Sequence, residues 1–392
     1  MKPDRNTYKK RMAYILKHNI LIQAIYRFVL SNVFRVIGFF IKTDNHLVLM
    51  NAYGGLRYND SPKAIGDYLY SHYEYRNLRI VWAFERPDDF NIPFEKIKID
   101  TWDYFYTALK AKYWISCVNI ERGLHFKKAA TRYLNTWHGI PIKTIGNAVK
   151  GRNDFDFSNV NVFCYSCSFE KSIYIRDLGV LERNMIMCGL PRNDELYHVT
   201  PERIGSLRLK LDIPDNKKII LYVPTWRESS DKGKSYTLTS PIDAMVLEQQ
   251  LGDTYILLVR AHHFVTQLLG IQFNNFIRDV SEYPEINELM IIADILISDY
   301  SAAIFDYAIL ERPVISFAFD YKEYTDSHGL YMDLEKELDG RLVKTQEELI
   351  NKIKLMDYND ECKKTAVFKK KYIEEGGNAA ETYVKALFDG YC

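Results

Sequence analysis

The sequence predicts an α/β protein built as two doubly wound halves, each a parallel sheet covered by helices, preceded by a basic amphipathic segment. Three observations carry this. Short runs rich in Val, Ile, Leu and aromatic residues alternate with helical patterns from Asn45 onward, as strands buried on both faces do. The alternation comes in two series, divided by a polar stretch that carries two prolines. The 392 residues, 47% hydrophobic and 26% charged, suffice for two sizeable cores.

The first series opens with HLVLMNA (His46–Ala52). SPKAIGDYLYSHY follows, where Ser61 is expected to cap a helix and Pro62 to take its first position. NLRIVWAF (Asn77–Phe84), YWISCV (Tyr113–Val118), RYLNTW (Arg132–Trp137) and NVFCYS (Asn161–Ser166) read as strands, the last leading into a helix from Ser168. NMIMCG (Asn184–Gly189) closes the half.

The seam is GLPRNDELYHVTPE (Gly189–Glu202), and the boundary is expected near residue 198. The second series comprises KKIILYVP (Lys217–Pro224), TYILLVR (Thr254–Arg260), NFIRDV (Asn275–Val280), ADILIS (Ala293–Ser298) and PVISFAF (Pro313–Phe319). The polar loop ESSDKGKSYTLTS (Glu228–Ser240) reads as a flap. The expected organisation is a membrane-associating helical segment over 1–43, a Rossmann-like domain over 44–198 and a second Rossmann-like domain over 199–392. Two such halves facing a cleft make a GT-B arrangement, in which strand ends from both domains surround one ligand.

Net charge is only +1, so no global basic field points to nucleic acid. The balance is uneven: residues 1–43 carry nine Lys or Arg against Asp4 alone, a local +8 that leaves −7 for the remainder. Basic residues interrupt the apolar stretch from Met12 to Ile41 well short of the roughly 20 apolar residues that span a bilayer. With no small-residue cleavage site, a secretory signal is not expected. A basic stretch threaded with Phe, Leu and Ile reads as an interfacial helix on an anionic membrane surface; packing on the protein's own core is the alternative. Six cysteines include a single C-x-x-C, Cys164 and Cys167; with no second pair, neither a zinc site nor a disulfide framework is expected.

Every informative motif falls where a strand ends. His138 follows RYLNTW, in LNTWHGIPIKTIG. Gly139 permits close approach to the backbone and Pro141 stiffens the turn, which fixes an imidazole at a ligand-binding edge. Its ordinary pKa, near neutrality, suits proton abstraction from a hydroxyl. Thr225, Trp226 and Arg227 follow the strand that ends in YVP: the Trp suits stacking or covering a pocket, and the Arg suits phosphate. Arg260 and His262 follow TYILLV. In ISDYSAAIFDYAILERPVISF, a helix is expected from near Ser301, with N–H groups aimed at phosphate and Asp306 facing a ribose or polyol hydroxyl.

The chain resembles the CDP-glycerol glycerophosphotransferase family of teichoic acid and capsule synthesis. NAYGGLRYNDSPKAI, TWHGIPIKTIG, GLPRND, YVPTWRE, RAHH and ISDYSAAIFDYAILERPVI carry the resemblance, in the family's order, over roughly residues 46–390. It implies a GT-B fold with the acceptor on the side of the first domain and the CDP-polyol bound by the second, His138 and His262 as the catalytic pair, and Arg260 beside the second. Substrate contacts are implied at Trp137, Gly139, Pro141, Arg192, Thr225, Trp226, Arg227, Ser301, Ala302 and Asp306. Three positions depart from the pattern: Ile140 replaces a usual Thr, His263 a usual Pro, and Ala302 a frequent Ser.

The implied reaction is transfer of a polyol phosphate, glycerol ahead of ribitol, from a CDP-polyol to a hydroxyl of an undecaprenyl-diphosphate-linked acceptor. CMP leaves, and the enzyme lies at the cytoplasmic face of the cell membrane as a peripheral protein. No cofactor is required, though a divalent cation would be compatible, and a homo-oligomer is left open. A sugar-nucleotide GT-B glycosyltransferase and a non-catalytic nucleotide-binding scaffold are the rivals; a scaffold needs neither histidine.

Overall fold

The computed structural model describes residues 20–225, 242–261 and 273–388. Trp226, Arg227, the Glu228–Ser240 loop, His262 and His263 lie outside the described residues, as do residues 1–19.

The strands form two sheets. The first contains β1 (Asp44–Asn51), β2 (Arg79–Phe84), β3 (Glu95–Lys98), β4 (Ala111–Ser116), β5 (Arg132–Asn135), β6 (Val162–Tyr165) and β7 (Met185–Met187), in the order β3-β2-β1-β4-β5-β6-β7. The second contains β8 (Lys218–Val223), β9 (Tyr255–Val259), β10 (Ile277–Asp279), β11 (Ile295–Ser298), β12 (Val314–Phe317) and β13 (Leu342–Val343), in the order β10-β9-β8-β11-β12-β13. Their registered pairs are parallel. The fold class is the expected one, α/β with two doubly wound, Rossmann-like sheets. In the second sheet the strand order reverses between β8 and β11, and such a switch point opens a crevice at the carboxyl ends of the strands.

The strand predictions hold where the runs are apolar on both faces, as in β8 and β11, whose central residues are fully buried. Two strands carry no such signal. β3 reads EKIK and is exposed along an edge, and β13 has two residues. The expected cap at Ser61 is displaced. The helix runs Asp60–Ser71, Ser61 is buried in its first turn, and its N–H donates to the Asp60 carboxylate at 2.6 Å. The helix expected near Ser301 runs Ala303–Ala308.

The chain forms two compact units. Of the described residues, one gathers those up to Trp137, Ser158–Phe163 and those from Tyr383; the other gathers those within His138–Phe157 and Cys164–Thr382. In the second unit Ile140, Ile142, Cys167 and Leu196 join the core formed by Leu221, Leu258, Leu296, Ile304 and Phe305. Each such side chain contributes roughly 1.5–3 kcal/mol on burial, so the segment that begins at His138 is fixed by the second unit's core.

In the first unit, the helix Ile20–Phe40 packs one side only. Ser31 and Phe34 are buried, Phe34 stacks on Phe105 at 4.5 Å, and the His125 N–H donates to Ser31 Oγ at 3.0 Å. Phe28, Phe39 and Phe40 stay 72%, 84% and 79% exposed. No helix among the described residues is long and apolar enough to cross a membrane. The five described cysteines are free thiols, and no group of three metal-ligating side chains occurs among the described residues.

Candidate active site

The turn that carries His138 is shaped on both sides. Before it, Asn135 accepts the Trp137 N–H on its side-chain oxygen at 2.8 Å, and Trp137 is buried in a left-handed conformation (φ 50°). A bulky residue held there costs on the order of 1–3 kcal/mol, which the surrounding packing must offset. After it, Gly139 has φ 137°, and Ile140 and Pro141 are buried. His138 alone in this run is part-exposed. Its neighbours in the run are buried.

Gly139 is required for a reason the sequence did not show. A Cβ built on it would sit 2.7 Å from Ala302 Cβ and 3.4 Å from Arg192 Nη2. The close approach expected of a ligand is therefore made by the protein itself. The turn after His138, the Arg192 guanidinium and the residue preceding the Ala303–Ala308 helix meet at one point. Tyr174, on the helix Ser168–Leu178, lies with its hydroxyl 3.1 Å from the Gly139 carbonyl oxygen and 2.7 Å from Glu170 Oε2. Burial pushes Glu170 up to about 7, against opposing hydrogen bonds from Tyr174 and Ser166.

Arg192 is oriented by Asp306. Its Nη2 donates to Asp306 Oδ2 at 2.8 Å, and Asn193 Nδ2 donates to Asp306 Oδ1 at 2.6 Å. Asn287 Nδ2 donates to the Arg192 carbonyl at 2.5 Å, which ties down the backbone. Each oxygen of Asp306 thus already accepts a bond from the protein, so its described contacts are those of a group that orients an arginine. The Ser301 hydroxyl accepts the Ala303 N–H at 3.2 Å, one residue ahead of Ala302, the N-cap of that short helix.

A second cluster sits at the switch point. Thr225 follows β8 and donates to Asp299, which follows β11, through its N–H at 2.9 Å and also through its hydroxyl. The hydroxyl can then only accept from a ligand. The Arg260 N–H donates to the Tyr222 carbonyl at 2.9 Å, placing the end of β9 beside β8, while Nη1 donates to the Tyr283 carbonyl. Thr225, Arg260 and Ser301 therefore stand on the carboxyl ends of the adjacent strands β8, β9 and β11.

The structure thus brings Gly139, the residue after His138, together with Arg192 and Ala302, joins Asp306 to Arg192, and separately pairs Thr225 with Asp299, all within the second unit. Sequence reasoning passed over Asp299, Asn193, Asn287, Glu170 and Tyr174 as site residues. Asp299 and Asn193 lay inside motifs already singled out. The four-residue spacing of Glu170 and Tyr174 places them on one helix face, but nothing in it indicates what they face.

Residues 33–389 match the model of the CDP-glycerol:poly(glycerophosphate) glycerophosphotransferase family. The chain belongs to this family. This glycerophosphotransferase is 31% identical over 378 residues to a teichoic acid glycerol-phosphate transferase of Staphylococcus aureus, covering 88% of the chain and 93% of that relative. It is 32% identical over 368 residues to a teichoic acid poly(glycerol phosphate) polymerase of Bacillus subtilis, covering 87% of the chain and 48% of the polymerase. The chain therefore spans about half of that polymerase. Among solved structures, the wall teichoic acid polymerase TagF superposes with a TM-score of 0.81 at 28% identity, over 94% of this chain and 96% of that one. The fold is accordingly GT-B-like.

Proposed function

We infer that this glycerophosphotransferase transfers glycerol phosphate from CDP-glycerol to a hydroxyl of a lipid-linked acceptor in teichoic acid synthesis. The observation that carries the reading is the meeting of the His138 turn, Arg192 and Ala302 at Gly139. It supports a reading in which His138 serves as proton acceptor beside a guanidinium of fixed orientation. The two relatives named above support the donor, one a glycerol-phosphate transferase and the other a poly(glycerol phosphate) polymerase, and a TagF structure was obtained after a CDPG soak.

In this mechanism His138 takes the proton of the attacking hydroxyl. The hydroxyl oxygen bonds the β-phosphorus of CDP-glycerol, the bond from that phosphorus to the bridging oxygen breaks, and CMP leaves with that electron pair. Phosphoryl transfer depends on positioning and on neutralising charge at the equatorial oxygens. Arg192 supplies a guanidinium whose orientation is set before substrate arrives. Thr225 and Arg260 at the switch point are assigned to the donor's nucleotide and diphosphate, together with Ser301. His262, outside the described residues, keeps the role the resemblance gives it. The test is CMP release by the purified chain with CDP-glycerol, CDP-ribitol and a UDP-sugar, each with a lipid acceptor. Turnover confined to the UDP-sugar would replace this reading by the glycosyltransferase one.

The acceptor's lipid sets the location, which we place at the membrane surface. The helix Ile20–Phe40 supports it by exposing Phe28, Phe39 and Phe40 beside Arg35. So does a cavity of about 360 Å³ at its end, lined by Arg35, Phe39, Ile41, Lys127 and Lys128. Burial lowers the pKa of Lys127, the state an anionic head group would relieve.

A further inference from the structure

We propose that Glu170 and Tyr174 are positioning residues for transfer: they hold the Gly139 carbonyl, and with it the His138 turn, through a hydrogen-bond chain that needs a proton on Glu170. The inference rests on the reaction assigned above for its kinetic consequence, and on the geometry for the rest.

Among the described contacts the tyrosine hydroxyl has one proton and faces two acceptors, Glu170 Oε2 at 2.7 Å and the Gly139 carbonyl oxygen at 3.1 Å. On the far side of the carboxyl group, the Ser166 N–H donates to Oε1. A proton on Glu170 therefore belongs on Oε2, facing Tyr174. In that state Glu170 donates to the tyrosine oxygen, the tyrosine donates to the Gly139 carbonyl, and each buried group in the chain is satisfied. When Glu170 is ionised, the tyrosine proton goes to the carboxylate, because a charge-assisted hydrogen bond is the stronger one. The Gly139 carbonyl then faces an oxygen lone pair at hydrogen-bond distance, and the turn is pushed away. The main chain at Gly139 carries His138 directly, so a shift there moves the imidazole. Displacements near 1 Å can cost about 100-fold in rate.

Burial favours the neutral acid, against hydrogen bonds from the Tyr174 hydroxyl, the Ser166 N–H and hydroxyl and the Cys167 N–H, all of which favour the carboxylate. Glu170 and Tyr174 are buried at 1% exposure each. Cys167, from the strand-to-helix turn, is held as a thiol, pushed up to about 12 by burial and then by Glu170. Glu374, which accepts the Ser168 N–H at 2.8 Å, adds negative charge felt at Cys167. Arg192 acts on Tyr174 but is paired with Asp306. Burial thus sets the Glu170 proton to leave near neutrality, at about 7.

The experiment combines two readouts on the full chain from pH 6 to 8.5. The first is kcat for CMP release; the second is hydrogen–deuterium exchange of the peptide covering residues 136–145, corrected for intrinsic rates. The native chain should lose kcat above pH 7 with little change in KM for CDP-glycerol, and its turn peptide should exchange faster at pH 8 than at pH 6. Glu170→Gln, whose amide donates to Tyr174 at every pH, should retain kcat within about 3-fold at pH 6.5 and abolish both alkaline effects. Tyr174→Phe should lower kcat by roughly 3- to 10-fold, the scale of one lost hydrogen bond, with no alkaline limb. If Glu170→Gln shows the native pH profile and native exchange, the pair is only structural and the proposal fails. If the native chain releases no CMP but its turn peptide still loosens with pH in a Glu170-dependent way, the assigned reaction fails and the positioning stands.

Discussion

Arg192 and Asp306, 114 residues apart in sequence, form an ion pair at 2.8 Å in which each side chain is 11% exposed. The pair is held from two further directions, by Asn193 on the carboxylate and Asn287 on the Arg192 backbone. Removing one partner of a buried pair leaves an uncompensated charge. Asp306→Ala should therefore cost roughly 3 kcal/mol or more of stability, read as a fall in the denaturant midpoint. Asp306→Asn keeps the shape and one acceptor. It should destabilise less yet still lower kcat/KM for CDP-glycerol, because the guanidinium loses its orienting charge.

Gly139 makes the packing of the turn testable without touching a charge. Gly139→Ala adds a methyl 2.7 Å from Ala302 Cβ and forces φ 137° on a residue that disfavours it. The expected cost is roughly 1–3 kcal/mol, with a loss of kcat as the turn moves. Adding Ala302→Gly removes the clash but leaves the backbone strain, so the double variant should recover part of the stability and not all of it. Full recovery would show that the clash is the whole effect.

The Glu170 proton also has a stability consequence. Its pKa rises from 4.5 in the unfolded chain to about 7 in the folded one. Between those values the folded state binds the extra proton, so this contribution is fully present below pH 4.5 and is lost as pH rises to about 7. The amount is roughly 3 kcal/mol over that window. Urea denaturation from pH 5 to 8 should show the native chain losing stability relative to Glu170→Gln by that order. Parallel curves would mean that Glu170 is ionised throughout.

Much of the fold is written locally. Runs such as KIILYV and DILIS are apolar on both faces and can only be buried strands. His138 and Thr225 could be named as candidates because each follows such a run, and Arg192 only through the resemblance carried by GLPRND. What was not legible depends on partners far along the chain. Ala302 meets Gly139 across 163 residues, and neither residue hints at the other. The turn segment from His138 packs with the second unit because Ile140 and Ile142 fit its core, a grouping that no change in composition marks. β3 was missed because an exposed edge strand needs no apolar pattern.

The membrane reading is now best tested on the exposed end of one helix. Because Ser31 and Phe34 pack inward, deleting residues 1–43 would damage the fold as well as any lipid contact. Phe39→Asp with Phe40→Asp changes only side chains that face away. In a flotation assay with phosphatidylglycerol vesicles, the double variant should float far less than the native chain while melting at a similar temperature. Equal flotation would assign this helix to packing alone.

The central claim is that His138 takes the proton in a glycerol-phosphate transfer, and CMP release with CDP-glycerol and a lipid-linked acceptor measures it directly. The account predicts release by the native chain and a loss of roughly 100- to 10,000-fold in His138→Ala, with binding of CDP-glycerol changed far less. Near-native release by His138→Ala would contradict it.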